Sequence, residues 1–407
     1  MSPHATRPDH ESDTSYDVIV VGGGAAGIGA AIGAKQAAPH ARVLIIESEG
    51  CLGGAATHRG VTSYCGLYGV EHKPRRAFGA IWSEIHSKLN VDPEGLKRVL
   101  DDVMAAYGIE TVLHCTVVGG ERSDSNLSSI NIQERKGRRK IFGKAFIDCS
   151  GDGDLAAHAG ASTRYGNHGH INMGSLATRF GGLTQANPSS SLWRDAIIAA
   201  KEQNPALKKI VPRNVGVLIK LPGSGNICTY MASARYDARD SLPGHENMYL
   251  VSTGPNFGAR ESRHVNSRYR LTRADIVKGN YFDDTVAVGA CTKEDWPILS
   301  TTPPEGTFEI PLRCLHSINT PNLFCAGRCV DGDQAAYSAV CVMGTALATG
   351  QAAGIAAALR VATGADPDPG EVRRVLLENG ALLDRHNLAR AGVLEDDKGM
   401  NLSHDEV

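Results

Sequence analysis

The sequence predicts an α/β fold: a mostly parallel, βαβ-based sheet into which an α+β lobe with an antiparallel sheet is inserted. Three observations carry this. Residues 16–21 are a short apolar run rich in β-branched residues, and they lead into a glycine-rich turn and a helix of small residues. A second strand followed by a long small-residue helix returns after residue 321. Between these, residues 166–315 change texture to Asn-Pro, Pro-Gly and Gly-Ser turns, with short alternating runs such as 215–221 and one helix near 193–202.

The first unit is read element by element. The turn Gly22-Gly23-Gly24-Ala25-Ala26-Gly27 fits G-x-G-x-x-G through Gly22, Gly24 and Gly27. Gly22 allows the tight turn, Gly24 lets backbone meet a pyrophosphate with no Cβ in the way, and Gly27 lets helix and strand pack closely. The helix over 25–38 ends at Pro39, and its first free N–H groups, at Ala25 and Ala26, offer partial positive charge to phosphate. A second strand over 42–47 finishes in Glu47, placed to accept hydrogen bonds from ribose hydroxyls. Strand, turn, helix, strand and terminal acid in this order make a Rossmann-like dinucleotide site. The small-residue loop that follows, Ser48 through Gly53, Gly54, Ala55 and Thr57, suits the extended chain of FAD better than NAD.

Further along, 95–107 has helical periodicity and 109–118 alternates as a strand. Residues 126–134 and 139–148 are two strands around the turn at 136–138. Strand 139–148 delivers Cys149-Ser150-Gly151-Asp152-Gly153-Asp154 into a helix over 155–160. Gly151 and Asp152 in this turn suit the adenosine end of a dinucleotide, while Asp152 or Asp154 also suits a helix N-cap.

Composition excludes several classes. A net charge of -2 leaves no nucleic-acid footprint. No apolar run approaches the roughly 20 residues of a membrane span. Residues 1–15 are polar, without the apolar stretch of a signal peptide, and read as a disordered tail, as do 386–407. The ten cysteines show no Cys-x-x-Cys or zinc spacing, so no metal is expected; buried reduced thiols and a cytoplasmic setting are.

Near the C-terminus come Pro321-Asn322-Leu323-Phe324-Cys325-Ala326-Gly327-Arg328-Cys329 and the helix containing residues 344–354. With the N-terminal fingerprint, the 148–154 turn, Gly258-Ala259-Arg260-Glu261-Ser262-Arg263 and Tyr269-Arg270-Leu271-Thr272, these resemble the FAD dependent oxidoreductase family. That family is related to the fumarate reductase and succinate dehydrogenase flavoproteins, with a glutathione-reductase-like FAD fold. The resemblance implies a bipartite FAD site: a first part over 16–165, a substrate lobe over 166–315 and a return over 316–385. Gly327 and Arg328 would turn beside the ribityl-diphosphate chain, and the stretch from Asp331 to Asp333 would contact ribityl or phosphate oxygens. A helix from about Ser338 would aim its N-terminus at the flavin ring.

Five residues are candidates for chemistry. Arg260 and Arg263 flank Glu261, and in fumarate-reductase relatives such an arginine clamps a carboxylate or moves a proton; an internal Arg–Glu pair joining the lobes is the plainer reading. Arg313 and His316 precede the return strand, and His316 could serve as a base, since an imidazole ordinarily titrates near neutrality. His58 follows the second loop and suits a base or a covalent flavin anchor. Cys51 and Cys65 lie fourteen positions apart, which argues against a disulfide reductase. The expected activity is an FAD-dependent dehydrogenase or oxidase, taking hydride from a small organic substrate onto flavin N5 and passing electrons to oxygen or another carrier. The alternatives are a reductase of an activated C=C bond, with Arg260 or Arg263 as acid, and an electron-transfer subunit carrying FAD. With no second G-x-G-x-x-G for NAD(P)H, a flavin hydroxylase is disfavoured.

Overall fold

A computed structural model describes residues 15–62, 64, 91–172, 174–182, 190–210, 214, 217–221, 226–232, 249–253, 258–290 and 307–383. Residues 1–14 and 386–407, expected as polar tails, and Cys65 lie outside the described residues.

The chain opens with β1 (Ser15–Val21), α1 (Ala25–Ala37), β2 (Val43–Ile46), α2 (Ala55–His58), α3 (Pro93–Ala106), β3 (Glu110–Val112), β4 (Thr116–Ser123), β5 (Asn126–Glu134), β6 (Gly137–Asp148) and α4 (Asp154–His158). Then come β7 (Thr163–Tyr165), β8 (Leu176–Gly181), α5 (Ser190–Gln203), α6 (Leu207–Ile210), β9 (Val217–Lys220), β10 (Ile227–Ala232), β11 (Tyr249–Thr253) and β12 (Arg263–Val265). The last are α7 (Arg273–Lys278), β13 (Thr285–Ala290), β14 (Thr307–Pro311), β15 (Leu323–Cys325), α8 (Gln334–Val340), α9 (Met343–Thr363) and α10 (Pro369–Glu378).

The fold is α/β, as expected. The main sheet runs β3-β2-β1-β6-β5-β4, and β15 adds to β6. Strands β3, β2, β1, β6 and β15 are parallel; β4 and β5 form an antiparallel meander with β6. Strand β6 changes character along its length. Its first half alternates or is exposed, and its last four residues are all buried, where β1 and β15 flank it. A separate antiparallel sheet, β11-β8-β10-β9, falls within the inserted stretch. Trp193 of α5 buries its ring 5.6 Å from Phe180 of β8.

Two expectations need correction. The single strand read over 109–118 is two strands, β3 and β4. The break is at His114, which takes φ 53, so that His114 and Cys115 donate their N–H groups to Glu49 O and Glu47 O. The helix expected from about Ser338 is also two, α8 and α9, bent by 86° at Cys341 and Val342. Among the described residues no single helix is long and apolar enough to cross a membrane. The α8–α9 pair passes by length and composition only, and residues 343–358 of α9 are all buried within the protein.

The small residues of α1 and α9 exist to bring two backbones together. A Cβ added at Gly29 would sit 2.4 Å from Leu347 O, and one at Gly33 2.2 Å from Gln351 O. The reciprocal positions on α9 are as tight: Gly350 would meet Ala26 O at 2.0 Å, and Gly354 would meet Ala30 O at 2.0 Å. Paired glycines four apart on each helix leave no room for side chains between the axes.

Arg313 and His316 are structural. Arg313 stacks over Tyr269 and Phe282, 4.8 and 5.3 Å from their ring centres, and pairs with Asp284 at 3.1 Å. His316 is buried, stacks 4.5 Å from Phe324, and its Nε2–H donates to Pro321 O at 2.7 Å. Burial pulls its pKa from 6.5 to about 4, against the bond to Pro321, so it stays neutral where a base would need to titrate.

Two stability predictions follow from these contacts. Gly354→Val should cost at least about 2 kcal/mol, because the added atoms meet fixed backbone. Gly95→Ala, with nothing within 4 Å of the added Cβ, should be neutral or stabilising by up to about 1 kcal/mol. Urea midpoints at unchanged slope measure both, and equal shifts would refute the packing reading. For His316, the unfolded chain binds a proton near pH 6.5 and the folded one only near 4. The stabilisation is therefore complete above pH 6.5 and is lost as pH falls toward 4, by about 3 kcal/mol. His316→Gln should flatten the wild-type loss between pH 7 and 4 by that amount; identical pH profiles would contradict it.

Candidate functional site

A cleft opens at the carboxyl ends of β1, β2 and β6, lined there by Val21, Ile46 and Cys149. This is where an open parallel sheet receives its ligand. The cleft holds about 1070 Å³, its open mouth included.

Its floor is the first glycine turn. Gly22 takes φ +103 and abuts Cys149 O, where a Cβ would stand 2.2 Å away. Gly27 is outside the wall; a Cβ there would lie 1.7 Å from Gly22 O, so this glycine seats the helix on the turn. Gly24, Ala25 and Ala26 are in the wall. A Cβ at Gly24 would find only Gly54 Cα, at 3.8 Å, and would project into otherwise open space. The turn thus leaves bare backbone and the α1 N-terminus facing the cleft, a cradle for a diphosphate.

Glu47 and Ser48 are in the wall. The Glu47 carboxylate is buried and oriented by three donors: Gly23 N at 2.6 Å on Oε2, and Ser48 Oγ at 3.0 Å and Glu49 N at 2.8 Å on Oε1. Its remaining lone pairs can accept ribose hydroxyls. The second loop is stitched to the first. Gly53 donates its N–H to Gly23 O at 2.8 Å, and Thr57 Oγ1 donates to Leu52 O at 2.8 Å; both lie behind the wall, with Gly54 and Ala55 in it.

The opposite side is Gly151, Asp152 and Asp154 with Gly327 and Arg328. Neither aspartate caps α4, whose N-cap is Gly153. The acid that serves this turn is Asp148, fully buried, which accepts from Ser150 N, Ser150 Oγ at 2.7 Å and Ala156 N at 2.8 Å. Asp152 accepts from Ser262 Oγ at 2.6 Å and faces Arg328 Nη2 at 3.5 Å. Burial raises its pKa, but Arg328, Ser262 and Arg59 outweigh burial and hold the carboxyl below its ordinary value. Arg328 Nη1 donates to Ala259 O at 2.8 Å.

Two expected cofactor residues are elsewhere. Asp333 is the N-cap of α8, accepting from Ala336 N at 2.9 Å and, on its other oxygen, from Arg273 N at 2.7 Å. Ser338 donates to Gln334 O and accepts from Asn172 Nδ2, inside α8 rather than at a helix start. The helix N-terminus that borders the cleft is that of α9, through Met343 and Ala346, with Cys341 at the bend.

Of the five candidates for chemistry, the wall contains His58. Its Nε2 lies 2.8 Å from Cys51 O and 3.4 Å from Cys51 Sγ. A carbonyl only accepts, so Nε2 carries a hydrogen, and in the neutral ring Nδ1 is the accepting nitrogen. Arg263 pairs with Asp154 at 2.6 Å, and Arg260 is outside the wall, its carbonyl accepting from Tyr337 at 2.6 Å. Glu261 pairs with His264, not with an arginine, at 2.9 Å, and accepts from Asn167 Nδ2 and Asn172 N. These charges fasten segments to one another. Arg313 and His316 are not among the residues of the cleft wall. Among the residues of the wall, sequence reading missed Cys341, Met343 and Arg59, the last of which lies one residue after His58. Its place directly after the second loop was the available signal.

The walls fit FAD: bare glycine backbone and a helix N-terminus for the diphosphate, an oriented acid for the ribose, and a second helix N-terminus beyond. A family profile described as FAD dependent oxidoreductase matches residues 17–216 and 223–377. No curated protein matches. Among solved structures, the chain is similar to p-nitrophenol 4-monooxygenase PnpA from Pseudomonas putida DLL-E4, at 12% identity over 95% of each chain with a TM-score of 0.49. It is similar to a geranylgeranyl bacteriochlorophyll reductase-like protein from Thermoplasma acidophilum, at 14% identity over 93% of this chain and 90% of that one, TM-score 0.47. It is also similar to CabE, an aromatic hydroxylase from angucycline biosynthesis, at 14% identity over 93% of this chain and 67% of that one, TM-score 0.47. Likeness at this level carries nothing about the reaction. The family match runs over most of the chain and onto both halves of the cleft: the protein belongs to the FAD dependent oxidoreductase family, and its cofactor is FAD.

Proposed function

We propose that this oxidoreductase is a dehydrogenase or oxidase of a small organic substrate, with His58 as the proton acceptor. The observation that carries this reading is the position of His58 in the cleft wall with Nδ1 as its accepting nitrogen. Bound FAD supplies a hydride acceptor at flavin N5 and passes electrons to oxygen or another carrier. The bond from Nε2–H to Cys51 O selects the tautomer of the neutral ring, in which Nδ1 is the accepting nitrogen. The first N–H groups of α9 place partial positive charge at the same cleft, which favours an anionic cofactor state.

Gly24, Ala25, Ala26, Glu47, Ser48, Gly54, Ala55, Gly151, Asp152, Gly327 and Arg328 are the residues we assign to FAD, all of them in the wall. The antiparallel sheet of β8 to β11 is assigned to the substrate lobe. For the alternative, reduction of an activated C=C bond, the proposed acid Arg263 pairs with Asp154 of the wall, and Arg260 is outside the wall. Free thiols at Cys51, Cys115, Cys149, Cys314, Cys325, Cys329 and Cys341 support a reducing, cytoplasmic setting.

The purified protein should be yellow, and acid precipitation should leave the flavin in the supernatant. Flavin remaining in the pellet would show covalent attachment. His58→Gln should retain FAD while slowing anaerobic bleaching by a screened substrate about 10²- to 10⁴-fold. A bleaching rate within twofold of wild type would remove His58 from the chemistry.

A further inference from the structure

The wall of the cleft holds a cation that no motif marks. Arg59 is half-buried there, and among the described residues its guanidinium makes no hydrogen bond and no ion pair. Its five N–H donors line the open cleft and can take a ligand's acceptors. The acids that act on it are Asp152, Glu49 and Glu47, and among the described residues none pairs with its guanidinium. Arg328 is a like charge; Asp152 already accepts from Ser262 and faces Arg328; and the Glu47 carboxylate is held by Gly23, Ser48 and Glu49. Burial first, and then Arg328, pull Arg59 below the ordinary arginine pKa, so the folded chain by itself works against this charge. An anion between the two arginines would reverse that.

The surroundings also say which anion. Arg328, Asp152, Glu49 and Glu47, the charges that act on Arg59, all belong to the nucleotide walls. Gly54, where α2 begins, touches the diphosphate turn: a Cβ there would lie 2.7 Å from Gly24 Cα. Arg59 follows α2 directly. A guanidinium fork matches paired phosphate oxygens, which a lysine cannot do.

We propose that Arg59 and Arg328, brought from the second loop and the return strand, clamp the diphosphate of FAD between them. This rests on the reading of the cleft as the FAD site. The test is calorimetric titration of the full chain freed of flavin with ADP, which has the diphosphate, and with adenosine, which lacks it. Arg59→Gln should weaken ADP binding about ten- to a hundredfold, the range for a charge-assisted hydrogen bond, and leave adenosine within twofold. The salt dependence of ADP binding should become shallower, and Arg59→Lys should recover part of the loss. Unchanged ADP binding overturns the proposal, more so if the substrate KM alone rises, since Arg59 would then serve the substrate. Equal losses for ADP and adenosine overturn it too, as a deformed cleft. Should Arg59→Gln fail to fold, Arg59→Lys decides: a selective loss for ADP supports the clamp and parity with wild type refutes it. If the wild-type chain binds neither ADP nor FAD, it is the assignment of the cleft that has failed.

Discussion

The backbone contact between α1 and α9 is the constraint on which the rest of the site depends. Strand β15 pairs with β6 over only three residues, too short a ladder to position a distant segment by itself. The helix pair supplies what the ladder lacks. Because Gly29, Gly33, Gly350 and Gly354 admit no side chain between the two axes, α9 has one way to lie against α1. Its N-terminus and the α1 N-terminus then border a single cleft, and Gly327 is drawn so close that a Cβ there would sit 2.8 Å from Ala26 Cβ. A site assembled from residues some 300 apart in sequence thus rests on the absence of four side chains.

A second fixed point is Asp148. Burying a carboxylate at the end of a central strand raises its pKa, and the donors around it only partly offset that. Ser150, Ala156 and the Cys329 thiol converge on it, so one group joins β6, the glycine turn, α4 and the return segment. Such a group specifies the geometry of a turn more than it stabilises the chain, because loss of any one partner leaves a buried polar atom unsatisfied.

The fold and the near half of the site were legible in the sequence because they depend on local rules. The β1-turn-α1-β2 order and the acid at Glu47 are set by spacing along one stretch of chain, and strand β5 begins and ends where its alternation does. What was not legible depends on contacts across the fold. The His114 break between β3 and β4 answers to Glu47 and Glu49, more than sixty residues earlier. Asp333 looks like a ligand-facing acid in a glycine-rich turn, but the next helix needs a cap and takes it. The α8–α9 bend leaves no glycine or proline signature in residues 339–343, so periodicity reads through it as one helix.

The charged candidates separate on the same ground. Arg263, Glu261 and Arg313 stood out in the sequence because charge was dense or oddly placed, yet each is matched within the protein by Asp154, His264 or Asp284. A charge matched in this way has its desolvation offset before any ligand arrives, and it holds segments together. Arg59 is the opposite case. It directly follows the second loop in sequence, and among the described residues no acid pairs with its guanidinium, while Arg328 acts on it as a like charge. Partner arithmetic of this kind ranks site residues better than charge density does: a matched charge has spent its electrostatic energy on folding, and an unmatched one in a cleft wall retains it for binding.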